Sequence, residues 1–142
     1  MDKTTNEIRE LVHRETKAWD TQNVHLLLSV FHKDMVWPWP TKSGDHDPAK
    51  WKMVLGRFNY QRWREFYRAF FERYRLVHNK RKIRKIVISD QEDGAFAVVD
   101  IDTLWIDKET GEKNRWKGRT CKVYTRIGEE WKMTMHTGVL QY

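Results

Sequence analysis

The segment DMVWPWP, residues 34–40, places two tryptophans in alternation with two prolines. Each proline fixes its own φ angle and favours extended backbone in the residue before it, so Trp37 and Trp39 should lie on a stiff, extended segment. We do not expect this Trp-Pro segment to form a central strand, because Pro38 and Pro40 have no backbone N–H for a neighbouring strand. The pattern predicts an edge segment whose rigid aromatic side chains form one wall of an apolar cavity.

Two helical patterns precede the Trp-Pro segment. Thr4 and Glu7 have the spacing of a capping box, and apolar residues then recur at helical intervals to about residue 20. A polar break over 20–23 separates this helix from a shorter apolar helix predicted over 24–31. Because the break is short, the two helices should pack antiparallel or cross steeply.

Two further helical patterns follow it. Asp47 before Pro48 fits an N-cap and a first helical position, and Gly56 is a natural stop, which predicts a short helical segment between them. Asn59 can cap a third main helix over 60–74. One broad face of that helix is aromatic and should pack on the core: Tyr60, Trp63, Tyr67, Phe70, Phe71 and Tyr74.

The periodicity changes to that of strands after residue 80, and glycine-containing turns separate the strand patterns. Four strands are predicted: 83–89, 95–107, 115–126 and 130–141. The short connections favour an antiparallel meander of long hairpins. Helices first and strands afterwards predict an α+β fold, with three main N-terminal helices packed on a strongly curved, mainly antiparallel sheet.

Length and composition predict one domain spanning residues 1–142. The chain is 39% hydrophobic and 33% charged, as in ordinary soluble proteins, but its eight tryptophans favour a cavity or an interface. No segment approaches the ~20 apolar residues of a membrane span. A single cysteine, Cys121, and an N-terminus without an apolar signal region predict a cytoplasmic protein.

A net charge of +7 favours anionic partners non-specifically. The densest cationic segment is RYRLVHNKRKIRK, residues 73–85. Its first basic residues complement a helix C-terminus, and the nearby aromatic residues are predicted to be buried. Nucleic-acid binding is therefore not favoured.

The order of these elements resembles the nuclear transport factor 2-like superfamily over nearly the whole chain. The motifs that carry the resemblance are 8–20, DMVWP at 34–38, Gly56, 118–126 and 131–138. This superfamily includes ketosteroid isomerase, scytalone dehydratase, SnoaL-type cyclases and the association domain of calcium/calmodulin-dependent protein kinase II. The resemblance implies a cystatin-like α+β cone with a deep cavity, and homodimers or larger assemblies formed through the sheet.

One motif departs from the superfamily pattern. Sequences of this type tend to place a histidine one residue further from the final-strand tryptophan than His136 lies from Trp131. Because side chains alternate along a strand, this offset puts His136 on the opposite face of the sheet unless a bulge intervenes.

An aromatic cavity of this kind favours flat apolar or cationic ligands. The candidate ligand-binding residues are Trp37, Trp39, Trp51, Trp63, Tyr67, Trp116, Lys122 and Tyr124. Core packing is the simpler interpretation for Trp63 and Tyr67. Lys122 matches a position where the kinase association domain carries a pocket arginine, which implies that it could bind a carboxylate or phosphate. Arg119 is the alternative if the opposite strand face lines the cavity.

Asp100 and His136 are the candidate acid–base residues. Enzymes of the superfamily abstract protons with pocket carboxylates, but Asp100 and Asp102 lie opposite the apolar face of their strand, which favours a solvated position. His136 could equally be a satisfied strand histidine. The adjacent His46 and Asp47 do not favour catalysis, because capping explains Asp47.

The sequence predicts no metal site, because its histidines lack ligand spacing and no cysteine cluster exists. No phosphate-binding or dinucleotide-binding glycine motif predicts a cofactor. The function most favoured is binding of a small, partly apolar molecule, with an anionic group as an option. The alternatives are a cofactor-independent isomerase, dehydratase or cyclase, and a non-catalytic oligomerisation module that assembles through the sheet.

Overall fold

The computed structural model describes residues 2–39 and 47–140. Its first element is helix α1 (Lys3–Asp20), where the Asp2 carboxylate accepts a hydrogen bond of 2.8 Å from the Thr5 N–H. Asp2 is therefore the N-cap, in place of the predicted Thr4. Thr4 lies inside the first turn and donates its hydroxyl to Glu92 at 3.0 Å.

Helix α2 (Val24–Leu28) is capped by Asn23 and ends before the predicted residue 31. Phe31 begins an edge strand, β1 (Phe31–Val36), because its backbone lies opposite Met133 of the last strand. Residues 34–36 of the Trp-Pro segment belong to β1, and Trp39 forms an isolated bridge with Lys52. The segment therefore lies at the edge of the sheet over residues 34–39, and Pro40 lies outside the described residues.

Helix α3 (Tyr60–Arg73) begins where it was predicted to begin, because the Asn59 side chain accepts from the Arg62 N–H at 3.0 Å. The short helical segment before it is a single 3-10 turn, Pro48–Lys50. Asp47 caps this turn by accepting from the Ala49 N–H at 3.0 Å.

Four long strands follow in sequence: β2 (Tyr74–Ile88), β3 (Gly94–Asp107), β4 (Lys113–Ile127) and β5 (Glu130–Leu140). Within the described residues the sheet order is β1-β5-β4-β3-β2, and every pairing is antiparallel except β1 with β5. β2 begins well before the predicted residue 83. Its cationic residues alternate with partly buried ones, so the cationic segment is itself a half-buried edge strand.

The helices cover one face of this curled, unclosed sheet, which confirms the predicted α+β fold. Alternation along β3 buries Val99, Ile101 and Trp105 under the helices and leaves Asp100 and Asp102 on the outer face. The largest apolar side chains that are fully buried are Trp19, Trp63, Trp105, Tyr124, Ile8, Leu27, Met35 and Met133. None of the helices in the described ranges is long and apolar enough to cross a membrane.

A bulge in β5 decides which way its second half faces. On β4, Val123 lies opposite Met135, whereas the next residue, Tyr124, lies opposite Met133. Thr134 is therefore an extra residue that reverses the alternation of β5 from that point.

This bulge compensates for the spacing between Trp131 and His136, which is one residue shorter than the superfamily pattern. Trp131 and Met133 before it are buried under the helices, and His136 after it is buried on the same side. His136 therefore lies on the inner face.

Candidate functional site

A cavity of about 150 Å³ lies between the helices and the inner face of the sheet. Its walls are mainly aromatic: Trp19, Trp37, Trp39, Tyr67, Phe70 and Trp116. It reaches the surface beside Val54 and Phe66, which are 73% and 41% exposed. Three ionisable side chains, Glu15, Arg81 and His136, interrupt the aromatic wall.

The Trp-Pro segment holds its two tryptophans against His136. The ring centroids of Trp37 and His136 are 4.1 Å apart in an edge-on contact, and those of Trp39 and His136 are 5.3 Å apart. The Trp37 and Trp39 rings are also in contact with each other, at 5.9 Å. Pro38 between them stiffens the segment, so both rings are held on one side of the imidazole.

His136 is 1% exposed, and neither of its ring nitrogens has a hydrogen-bond partner among the described residues. Burial lowers its pKa well below the usual value, and the charges of Lys122 and Arg81 lower it further. The imidazole is therefore neutral at pH 7. In either tautomer the ring has one N–H donor and one bare nitrogen acceptor, and both nitrogens are buried.

Glu15 lies on α1 and is 1% exposed, as is Lys122 on β4. The Lys122 Nζ is 2.9 Å from Oε1 and 3.0 Å from Oε2 of the Glu15 carboxylate, and the Trp19 indole N–H donates to Oε2 at 3.0 Å. Burial opposes ionisation of Glu15, but the charges of Lys122 and Arg81 outweigh it and lower the pKa of Glu15. The pair is thus a buried ion pair with close contacts on both carboxylate oxygens.

Arg81 projects from β2 into the same cluster, and its side chain is 6% exposed. Its Nε donates to the side-chain Oδ1 of Asn79 at 2.7 Å, and its Nη2 is 3.4 Å from the Thr103 hydroxyl. Its Nη1 is 3.8 Å from Oε2 of Glu15, which is too long for a hydrogen bond. The guanidinium also lies 6.0 Å from the centroid of the Trp19 ring.

Two further polar atoms are buried near the cavity. The Tyr124 hydroxyl and the Trp105 indole nitrogen have no hydrogen-bond partner in the part of the chain that the structure describes. Burial, with a smaller contribution from the Glu15 charge, raises the pKa of Tyr124 well above its usual value. Tyr124 is therefore a neutral phenol at pH 7.

Five of the predicted site residues line the cavity together: Trp37, Trp39, Tyr67, Trp116 and His136. Lys122 and Tyr124 are buried behind this lining, in the polar cluster around Glu15. Trp63 is a core residue in contact with Phe31 and Phe58. Trp51 packs against Gly138 on β5, where an added Cβ would lie 3.5 Å from the indole ring.

Asp100 is placed elsewhere, on the outer face of the sheet. Its two carboxylate oxygens accept from Nε and Nη2 of Arg119 at 2.7 and 3.2 Å, and Arg84 lies at 3.5 Å. The hydrogen bonds from Arg119 are the main reason that the pKa of Asp100 is lowered. Asp100 and Arg119 therefore pair with each other, away from the cavity.

Sequence reasoning missed Glu15 and Arg81. Glu15 interrupts an apolar helical stripe formed by Leu11, Ala18 and Trp19, and a lone charge on such a stripe was an available signal. The sequence does not distinguish Arg81 from the other basic residues of the cationic segment. Only the early start of β2 shows that its side chain points inward.

His46 lies outside the described residues. Among residues 2–39 and 47–140, the acidic residues, histidines and Cys121 form no group of three that could hold a metal ion.

Comparisons with known proteins give a match in structure only. No protein-family model matches this chain. No curated protein matches it in sequence.

Solved structures match nearly the whole chain. A ketosteroid isomerase-like protein from Erwinia carotovora atroseptica superposes with a TM-score of 0.73 at 13% identity, covering 96% of this chain and 95% of that one. A nuclear transport factor 2-like superfamily protein from Salmonella enterica gives 0.64 at 16% identity, with coverages of 97% and 92%. A domain with a cystatin-like fold from Nostoc punctiforme gives 0.70 at 11% identity, with coverages of 100% and 80%.

Proposed function

We propose that this nuclear transport factor 2-like fold binds a small, largely apolar molecule in its aromatic cavity. The fold commonly binds small molecules, and here it contains a buried aromatic cluster. His136 is the observation that carries the proposal. A buried imidazole without a described partner is costly, and a ligand that hydrogen-bonds to it would remove that cost.

The aromatic residues have distinct roles in this proposal. Trp37 and Trp39 contact both the ligand and His136, so they select for a flat molecule. Tyr67 and Trp116 supply the facing wall. Trp63 supports Trp37 from the core, with their ring centroids 6.4 Å apart.

Titration with benzyl alcohol tests the proposal, because it combines one flat ring with one hydroxyl. We expect quenching of tryptophan fluorescence, and at least a tenfold loss of affinity in Trp37→Ala and in Trp39→Ala, since stacking on an aromatic side chain is worth ~1–3 kcal/mol. Trp131→Phe is the matched control, because Trp131 lies away from the cavity, where its indole N–H donates a hydrogen bond of 3.1 Å to the Glu7 carboxylate. Unchanged affinity in both cavity variants would contradict the site.

Proton transfer is a second candidate function, because His136 lines the cavity and its neutral ring has a bare nitrogen, although the lowered pKa makes that nitrogen a weak base. A neutral imidazole can accept a proton from a substrate carbon next to a carbonyl, as isomerases and dehydratases require. Incubation with 2-cyclohexenone in deuterium oxide tests this by proton NMR. Deuterium should enter the ring faster with the native protein than with His136→Gln, and equal rates would exclude His136 as a base.

Self-association through the sheet stays a prediction. Val87 and Phe96, cross-strand neighbours on the outer face, support it because they are 45% and 51% exposed. Light scattering after gel filtration should give twice the monomer mass, and Phe96→Lys should lower it. A monomer in the native protein would contradict the prediction.

A further inference from the structure

We propose that the ligand of the cavity is a single-ring aromatic carboxylate and that Arg81 binds its carboxylate group. This inference rests on the proposed function, because it concerns the same cavity. It adds the charge and size of the ligand and the residue that selects for them.

The buried cluster beside the cavity carries unbalanced charge. Among the described residues Glu15 is the one carboxylate of the buried cluster, and it faces two cations, Lys122 and Arg81. Burial keeps His136 and Tyr124 neutral at pH 7. The described residues therefore leave one positive charge uncompensated beside an apolar cavity, where a buried charge is costly without an anionic partner.

The two cations of the cluster differ in how closely they contact Glu15. Lys122 is within 3.0 Å of both carboxylate oxygens of Glu15 and is absent from the cavity wall. Arg81 forms part of the wall, and it donates hydrogen bonds to neutral acceptors on Asn79 and Thr103. Asp20 acts on Arg81 from a distance, because its carboxylate accepts from the Asn79 amide at 2.9 Å. The uncompensated charge therefore belongs to Arg81.

The Arg81 guanidinium favours an anion that is planar and carries one charge. With Nη1 beyond hydrogen-bond distance of Glu15, the guanidinium keeps N–H donors that can bind a planar carboxylate. One uncompensated positive charge matches a monoanion better than a phosphate monoester, which carries about −1.5 to −2 at pH 7. His136 lines the same cavity, and its neutral ring carries one N–H donor that is buried and has no partner among the described residues.

The size of the cavity limits the size of the ligand. The cavity volume is about 150 Å³. An engineered apolar cavity of roughly 150 Å³ binds benzene, so one aromatic ring is the appropriate scale for the apolar body. Trp37, Trp39 and Trp116 offer rings for edge-on or offset contact with that body.

The test compares benzoate with benzamide, which has the same ring and nearly the same shape but no charge. Isothermal titration calorimetry at pH 7 should give a dissociation constant at least tenfold lower for benzoate with the native protein. Arg81→Met should abolish this preference, because hydrogen bonds to a charged group are worth about ten- to a hundredfold in affinity. Arg81→Lys should retain part of it.

Arg84→Met is the matched control. Arg84 lies on the same strand but pairs with Asp100 on the outer face, so its loss should leave the preference unchanged. Circular dichroism checks that each variant is folded. If Arg81→Met fails to fold, the test depends on the native protein and Arg81→Lys. A preference of the native protein for benzoate that is reduced in Arg81→Lys would support the role of Arg81, and an unchanged preference would contradict it.

The outcomes separate the inference from the proposed function. If benzamide binds as tightly as benzoate, or Arg81→Met keeps the preference, the carboxylate inference is wrong while binding in the cavity stands. If benzyl alcohol binds but neither benzoate nor benzamide does, the inference is again wrong alone. If none of the three binds, both proposals are overturned.

Discussion

Two carboxylate–cation pairs on opposite faces of the same sheet invite comparison. Glu15 and Lys122 meet at 2.9 Å under the helices, and each side chain is 1% exposed. Asp100 and Arg119 meet at 2.7 Å on the outer face, where their side chains are 33% and 40% exposed. The distances are nearly equal, so burial is what distinguishes the two pairs.

Burial changes how much an ion pair contributes to stability and how strongly its loss affects the neighbouring residues. A partly exposed pair is screened by water and contributes little, whereas two buried charges depend on each other because neither has water as a substitute. The inner pair therefore fixes the cluster beside the cavity, and the outer pair can change with little consequence. Substitutions on the two faces should therefore differ in their effects on stability and binding.

Lys122→Met should have the largest effect. Among the described residues it leaves the buried Glu15 carboxylate with Arg81, at 3.8 Å, as its counter-charge, and breaking a buried pair in this way costs about 3–5 kcal/mol. Urea unfolding followed by circular dichroism measures the change in the free energy of unfolding. Arg119→Met, the matched change on the outer face of the same strand, should cost far less.

The double variant Glu15→Gln/Lys122→Met checks the cause of that loss. Because the amide that replaces the Glu15 carboxylate carries no charge, the second substitution should recover part of the lost stability. The single variant Glu15→Gln gives the cost of that change alone. If the double variant is less stable than Lys122→Met by this full cost, the two residues act independently.

Asp102→Asn should have an intermediate, pH-dependent effect. Hydrogen bonds from Arg115, and then from His78, lower the pKa of Asp102 to about 2. Because the folded pKa lies below the unfolded value, the carboxylate stabilises the protein above about pH 4, by about 1–2 kcal/mol, and this is lost as the pH falls toward 2. The stability difference between native protein and variant should therefore narrow between about pH 5 and pH 2. A constant difference would contradict the ionic cause.

Asp100→Asn should have the smallest effect. Exposed pairs of this kind contribute about 0–1 kcal/mol. The affinity for benzyl alcohol and the rate of deuterium exchange should both stay at native values, because Asp100 lies on the face away from the cavity. A tenfold loss in either measurement would restore Asp100 as a functional residue.

The sequence predicted the fold well where local signals agree. The cap at Asn59, the helical stripe of α1 and the long alternating strands each specify their element without help from the rest of the chain. The start of β2 was missed because its first half is dominated by charged residues. A bulge between Leu76 and His78 also interrupts the alternation, so Leu76 and Arg81 both face inward although they are five residues apart.

The candidate site was less accessible to sequence reasoning. The aromatic wall around Trp37 and Trp39 follows from the Trp-Pro pattern, but the polar cluster depends on contacts between distant segments. Glu15 and Lys122 are more than a hundred residues apart in the chain, and no local rule pairs them. The face of His136 depends on a bulge that alternation alone cannot reveal.

That bulge has a consequence for changes in chain length. Removing Thr134 would allow regular pairing with β4 and would leave Met135 opposite Val123 and His136 opposite Lys122. The imidazole would therefore stay under the helices, although its separation from Trp131 would shrink by one residue. A single-codon deletion at this place would alter the local twist of the strand without changing which chemical group meets the cavity. Because of the bulge, β5 can lose one residue while His136 stays on the inner face of the sheet.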